Sequence, residues 1–560
     1  MTMNTFNSVF HIGVRIFART FAVFGMVVSL LVSTSHAEVV SDGTAGAAGN
    51  VPLTQGVYTI DPAFGTLSGS NLFHSFSSFN INTGETALFS AGNTSGAANI
   101  IGRVTGGGLS TVDGIITSDI LGANLWLVNP NGFVFGPDSQ ISIEGSFFAS
   151  TGEYVKFADN AIFDAVNPND PALIVANPTG FGFVSNNPGA ITLDNANLRV
   201  SNGQSISLVG GDVELNASMI GTIDGRLNIA AVHGPGEVTF TVPNSPAESG
   251  IVFNATGGSF NAVNMTDSSL DLSGAGFGAV YIMAGQFVMS GDSSITSRSD
   301  AISTAVIHVD ATEAVMQGGL ISSSGSVEAS AADIHIEGGK FTINGGRITS
   351  TAVDIGSAGD ITIVQAQEFT MDNGSIQTSS ASAAGGNITI QAADLVSLTN
   401  STIATDINGA TPADPGGNIS IDPVNVVINK SQINAQSNDA NSGNLTILGG
   451  AVFLDSASQV AATGQTTIQT IVKDENFNQD VAALPEVSET FVDITAVLTN
   501  RCASEVIKNK SSFTIELDKS GESALDEFNY IQYLAATDPR GMAVENFQLA
   551  LANFLNAPCF

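Results

Sequence analysis

The sequence predicts an all-β fold, a right-handed parallel β-helix built as a single-stranded solenoid, and three observations carry that prediction. A short phrase recurs at nearly constant spacing, apolar and polar residues alternate inside each recurrence, and the stretches between are rich in Gly, Asn, Asp and Ser. The phrase reads Gly359-Asp360-Ile361-Thr362-Ile363, then Gly386-Asn387-Ile388-Thr389-Ile390, Gly417-Asn418-Ile419-Ser420-Ile421 and Gly443-Asn444-Leu445-Thr446-Ile447, at intervals of 27, 31 and 26 residues. Moving upstream by 27 finds Asp333-Ile334-His335-Ile336, and again Ile307-His308-Val309. Alternation with period two gives a strand one inward and one outward face, and each repeat holds about three such strands. Helical repeats need phrases that are absent. Stacking the coils turns equivalent positions into columns. Ile307, Ile334, Ile361, Ile388, Ile419 and Leu445 form one inward column, and Val309, Ile336, Ile363, Ile390, Ile421 and Ile447 a second. The column between them, His308, His335, Thr362, Thr389, Ser420 and Thr446, is expected to face solvent. Similar short runs continue toward the N-terminus, as in Ile206-Ser207-Leu208 and Val213-Glu214-Leu215, so roughly 400 residues at about 25 per coil predict some 16 coils.

Composition agrees and excludes other classes. The 560 residues are 43% hydrophobic and 12% charged, with 60 Gly and a net charge of −35. Disordered chains lack that apolar content. A pI near 4.1 excludes nucleic acid as a partner, because phosphate recognition needs Lys and Arg. In chain order, Arg15 and Arg19 precede the apolar run Phe21 to Val32 and the small residues Ser35-His36-Ala37, which reads residues 1–37 as a secretory signal peptide. Residues 291–470 hold the repeats of about 27 residues, and 471–500 a linker. In 501–560 charge becomes denser and Gly sparse; Ser523 with Asp526 resembles a helix start, and Pro539 precedes a second helical pattern. This end is expected to be a small helical cap on the last coil, whose open strand edge needs cover. Cys502 and Cys559 lie there, and an even number in an exported chain points to one disulfide, with free thiols as the alternative.

Residues 38–290 carry a second set of phrases: Asn71-Leu72-Phe73-His74-Ser75-Phe76, Phe79-Asn80-Ile81, Asn99 through Gly107, Leu125-Trp126-Leu127-Val128-Asn129-Pro130-Asn131-Gly132, and Phe133-Val134-Phe135-Gly136. Asn177-Pro178-Thr179-Gly180-Phe181-Gly182-Phe183 comes later. In these residues the sequence resembles the secretion domain of two-partner-secretion exoproteins, the filamentous haemagglutinin N-terminal family. Asn-Pro-Asn-Gly suits a β-turn, because Pro130 presets φ at the first central position, Asn131 suits the second, and Gly132 relieves the exit. The resemblance implies that Asn129, Pro130, Asn131 and Gly132 serve the secretion domain's fold and recognition. The family's second motif reads Asn-Pro-Asn-Leu, from which Asn177, Pro178, Thr179 and Gly180 depart. It also implies passage through the periplasm of a Gram-negative-type bacterium, unfolded transit through an outer-membrane β-barrel transporter with periplasmic polypeptide-binding domains, and folding outside the cell.

The function expected from that resemblance is an adhesin or surface-interaction protein with a host, cell-surface or matrix receptor. Capture of haem or a metal complex is the alternative, and a polysaccharide lyase or hydrolase a weaker one. His308 and His335 lie one coil apart, within reach of a shared metal, but no third ligand column accompanies them, so neither metal nor cofactor is expected. Asp310 with Glu337 and Asp333 with Asp360 are likewise one period apart. Because Asp360 is succeeded by Asn387, Asn418 and Asn444, the column reads as a turn ladder rather than an acid pair, and no enzyme is expected. Gly106-Gly107-Gly108 lacks the Lys-Ser/Thr of a phosphate loop, and His74 reads as a structural residue near the N-terminal cap.

Overall fold

The computed structural model describes residues 38–474, apart from 93–95, 169–173, 242–248, 255–258, 275–277, 301–304, 327, 382, 408–416 and 438–442. Residues 1–37 and 475–560 lie outside the described residues, and with them the expected signal peptide, the helical end, Cys502 and Cys559. The strand Thr466–Asp474 runs into the expected linker. The described chain is strands and loops with one short helical turn, Pro62–Phe64.

The repeats stack as a parallel β-helix. Ile307 pairs with Ile334, Ile334 with Ile361, and so on through Ile388 and Ile419 to Leu445. Both inward columns are buried along their whole length. Adjacent branched side chains stacked at interstrand distance leave little space for voids, which is the form close packing takes in a solenoid.

The polar residues of the recurring phrase have specific duties. A Cβ at Gly386 would sit 2.1 Å from the Gly359 carbonyl oxygen of the preceding coil, so only Gly permits that stacking. Its own carbonyl accepts a 2.6 Å hydrogen bond from the buried Thr378 hydroxyl. The next residue forms a rail. Asn387 donates from its backbone N–H and its Nδ2 to Asp360 Oδ1, Asn418 does the same to Asn387 Oδ1, and Asn444 to Asn418 Oδ1, at 2.7–3.1 Å. The rail starts at Asp333, whose Oδ1 accepts from Asp360 N; Asp fits at these first two places because their side chains only accept, whereas the Asn side chains that follow also donate.

A second corner repeats with equal regularity. Ala217, Asp267, Asn373, Asn400 and Lys430 all have φ between 46° and 51°, in the left-handed region, and Gly291, Gly318 and Gly345 take the same place in the coils between. Buried serines succeed that bend. Ser268, Ser401 and Ser431 each accept from a backbone N–H of the preceding coil, at 3.0–3.3 Å. Without them these interior amides would lack partners.

The N-terminal coils depart from this plan in three ways. Val39–Ser41 and Gly65–Ser68 pair antiparallel with Asn71–Phe79 and cap the first coil edge. Inward positions there are aromatic: Phe76, Phe79, Phe89, Phe133, Phe135 and Phe147 are all buried. Finally, the chain leaves the solenoid twice to build an antiparallel sheet in the spatial order Ile162–Asp164, Tyr154–Phe157, Pro178–Phe183, Gly236–Phe240 and Ile251–Asn254. These excursions consume chain, so the described residues form about 13 turns rather than 16.

The covering sheet also explains a correction. The expected solvent-facing column continues N-terminally as Tyr281, Asn228, Ser207, Phe148 and Trp126, and that stretch lies in or beside a second apolar core against the sheet. His308 and His335, at its C-terminal end, are 0% and 7% exposed rather than solvent-facing. Their rings stack on each other, with His308 beside Tyr281 and the Glu337 carboxylate near both Nε2 atoms.

Candidate functional site

Asn129-Pro130-Asn131-Gly132 forms the expected turn, closed by a 3.0 Å hydrogen bond from Gly132 N to Asn129 O. Gly132 has φ +121°, and a Cβ there would lie 2.7 Å from Ala190 O in the following coil. Asn129 is completely buried. Its Nδ2 donates to Gly108 O at 3.1 Å and Ser110 Oγ at 3.0 Å, while its Oδ1 accepts from Asn131 N at 3.0 Å. Asn131 is exposed, and its Nδ2 donates to Gly106 O at 2.7 Å. Asn129 N donates to Ser150 O. The motif therefore stitches neighbouring coils together, and Gly106-Gly107-Gly108 is the loop it grips. Asn129 acts from inside; Pro130 and Asn131 form the surface of the turn.

Asn177, Pro178, Thr179 and Gly180 do something different. The phrase opens the strand Pro178–Phe183 of the covering sheet, with Asn177 exposed and its carbonyl accepting from Ala158 N. A Cβ at Gly180 would lie 2.0 Å from Val238 O across the sheet. Just upstream, Ile174 O and Ala176 O accept from Nδ2 of the buried Asn71 at 3.1 and 2.7 Å, tying the segment to the first coil. The two motifs sit on different elements.

The cap and covering sheet meet at Arg103, which is 1% exposed. Its guanidinium donates to Ser75 Oγ, Asp164 O and Thr44 Oγ1 at 2.7–2.8 Å and lies 4.1 Å over the Phe163 ring. Burial lowers its pKa to about 10, so it stays charged at neutral pH. Burial alone pushes the nearby Asp42 carboxyl up, but hydrogen bonds from Thr105, Thr44 and Ser75 outweigh it and hold it below the usual range. The Arg is visible in the sequence, whereas its partners are scattered from Asp42 to Asp164. No local spacing signals them.

The titratable groups form no catalytic constellation among the described residues. Burial drops His74 to about 4, so it is neutral at physiological pH; its Nδ1 lies 3.3 Å from Phe64 O and its ring beside Phe76 and Phe89. His308 and His335 Nε2 lie 3.4 and 3.7 Å from the two Glu337 oxygens. These histidines lower Glu337 to about 2, whereas burial, followed by the Glu337 charge, raises Asp310. Asp333 accepts from Asp360 N at 2.8 Å, as a turn ladder does. Among the described residues no three His, Cys, Asp or Glu are placed to hold a metal ion.

Comparisons with known proteins place the N-terminal part. The family model of the TPS secretion domain matches residues 37–248. The chain is similar to the solved secretion domain of HMW1 from Haemophilus influenzae, with 17% identity and a TM-score of 0.44, over 77% of this chain and 98% of that one. Among curated proteins none matches. Residues 37–248, which hold the capped first coils, the Asn129 turn and most of the covering sheet, are a two-partner-secretion domain.

Proposed function

We propose that the chain is an exoprotein that reaches the cell surface or extracellular space through a partner outer-membrane β-barrel, and works there as an adhesin or surface-interaction protein. One observation carries this reading: the secretion-domain match falls on the capped and covered part of a solenoid that then continues as bare repeats. A repeat solenoid forms coil by coil from nearest-neighbour contacts, which suits a chain emerging unfolded from a pore. In this reading the capped coils form first and offer the edge on which the next coil pairs. Asn129 holds the turn in shape from inside, and Pro130 and Asn131 are the surface a periplasmic polypeptide-binding domain meets. The repeats carry the binding face, with outward columns such as Thr342-Thr370-Ser397 and Thr349-Gln377.

The test is export from a Gram-negative host with and without the partner barrel, followed by binding of the exported protein to cells and matrix. Partner-dependent export with saturable binding supports the proposal. Partner-independent export would sink the route, and export without binding would sink the adhesin. Haem capture predicts a Soret shift on titration, and a polysaccharide enzyme predicts soluble products. The adhesin reading predicts neither, and the buried His308 and His335 favour it over haem.

A further inference from the structure

The covering sheet is assembled from two parts of the chain far apart in sequence. Tyr154–Phe157, Ile162–Asp164 and Pro178–Phe183 come from the first excursion, Gly236–Phe240 and Ile251–Asn254 from the second, and the two join where Pro178–Phe183 pairs with Gly236–Phe240. In Gly180-Phe181-Gly182-Phe183 the phenylalanines point inward, buried in the second core. The outward glycines leave a trough. A Cβ at Gly182 would fall 1.8 Å from the Tyr154 ring, so that ring lies directly over the glycine, and its hydroxyl reaches Glu237 Oε1 at 3.0 Å. Lys156 Nζ pairs with the other Glu237 oxygen. One carboxylate on the second excursion is thus gripped by two side chains of the first, across the intervening strand. Burial, then the hydrogen bond to Glu237, raises the Tyr154 hydroxyl to about 12, which keeps it a donor at physiological pH.

Beneath the sheet lies Trp126, stacked 3.8 Å from Phe148 and flanked by Phe181 and Phe240. Phe181 comes from the first excursion, and Phe240 is what the second adds around the indole.

We propose that the sheet is a latched cover: Tyr154 and Lys156, lying across the trough of Gly180 and Gly182, clasp Glu237 and hold the second excursion shut over the Trp126 face. This assigns the Gly180–Phe183 phrase to the latch seat. The cover opens as a unit while the solenoid beneath stays folded, because the parallel ladder of the coils does not pass through the clasp.

Trp126 is the sole tryptophan of the chain and reports on the cover directly. In the purified full-length chain, Glu237→Ala should raise acrylamide quenching of Trp126 roughly threefold and speed amide exchange in Gly236–Phe240, with the far-ultraviolet circular dichroism unchanged. Tyr154→Phe, which loses one hydrogen bond and keeps the ring over Gly182, should give a smaller rise. Unchanged quenching and exchange in Glu237→Ala would overturn the latch. So would a rise that occurs only together with loss of circular dichroism, since the clasp would then be part of global stability. The readout needs no export partner, so its failure leaves the secretion reading standing.

Discussion

The coils before residue 290 and those after it solve the same stacking problem with different chemistry. The later coils are bare: mostly aliphatic columns inside, with Phe341 and Phe369 packed together in one of them, and an Asn rail and a Ser rail at the corners. The earlier coils are filled with phenylalanine, capped by antiparallel strands and roofed by a second sheet that makes their outer face apolar too. A bare solenoid can repeat because every coil meets the same neighbours. A capped and covered one cannot, because each coil touches something different. Periodicity in the sequence is thus a consequence of being uncovered.

The largest expected effect comes from the aromatic interior. Phe147→Ala should cost about 3–5 kcal/mol of stability in denaturant titration, whereas Ile390→Val in the repeats should cost about 1 kcal/mol. A loss at Phe147 no larger than that of the single-methyl deletion at Ile390 would mean that the ring does not pack the interior.

A smaller effect tests the rail. Asn387→Asp puts a third carboxylate beside Asp333 and Asp360 and removes a donor, and should cost about 1–3 kcal/mol at pH 7. The loss should shrink on acidification, because burial holds the Asp333 carboxyl above the usual range and its protonation relieves the repulsion. A pH-independent loss would mean that the donor alone matters.

The buried histidine pair at the end of the covered column has its own pH signature. Glu337 is held at about 2 in the folded chain against an ordinary 4.5. Its contribution is therefore complete above about 4.5 and is lost as pH falls toward 2. Glu337→Gln should be less stable than the parent at pH 7, and the two should converge near pH 2 in thermal melts.

The smallest effect concerns the left-handed corner. Lys430→Gly should stabilise by about 0.5 kcal/mol, because relief of the strained φ exceeds the added chain entropy. A loss would show that the Lys side chain supports the corner.

These contrasts also mark how far the structure is legible in the sequence. The columns from Ile307 to Leu445 can be read directly, because a repeated inward residue leaves a repeated letter. The turn at Asn129 is legible from Pro and Gly chemistry, but the grip of Asn129 on Gly108 and Ser110 is not, since coil neighbours are about 20 residues apart in the chain. The covering sheet stays hidden because Tyr154–Phe157 reads like any short solenoid strand, and only the tertiary pairing with Pro178–Phe183 separates them. For the same reason period-two alternation turns His308 and His335 outward, whereas they are buried at the end of the column that leads from the covered face. The corner at Lys430 carries no local signal, because its conformation is imposed by the coils on either side.

The most direct test compares extracellular yield for two asparagine variants made with the partner barrel. Asn129→Ala and Asn387→Ala each remove a side chain that bridges coils, one in the secretion domain and one in the bare repeats. Export should collapse for Asn129→Ala and stay near the parental level for Asn387→Ala. Equal export of the two would contradict a secretion domain that alone governs the route.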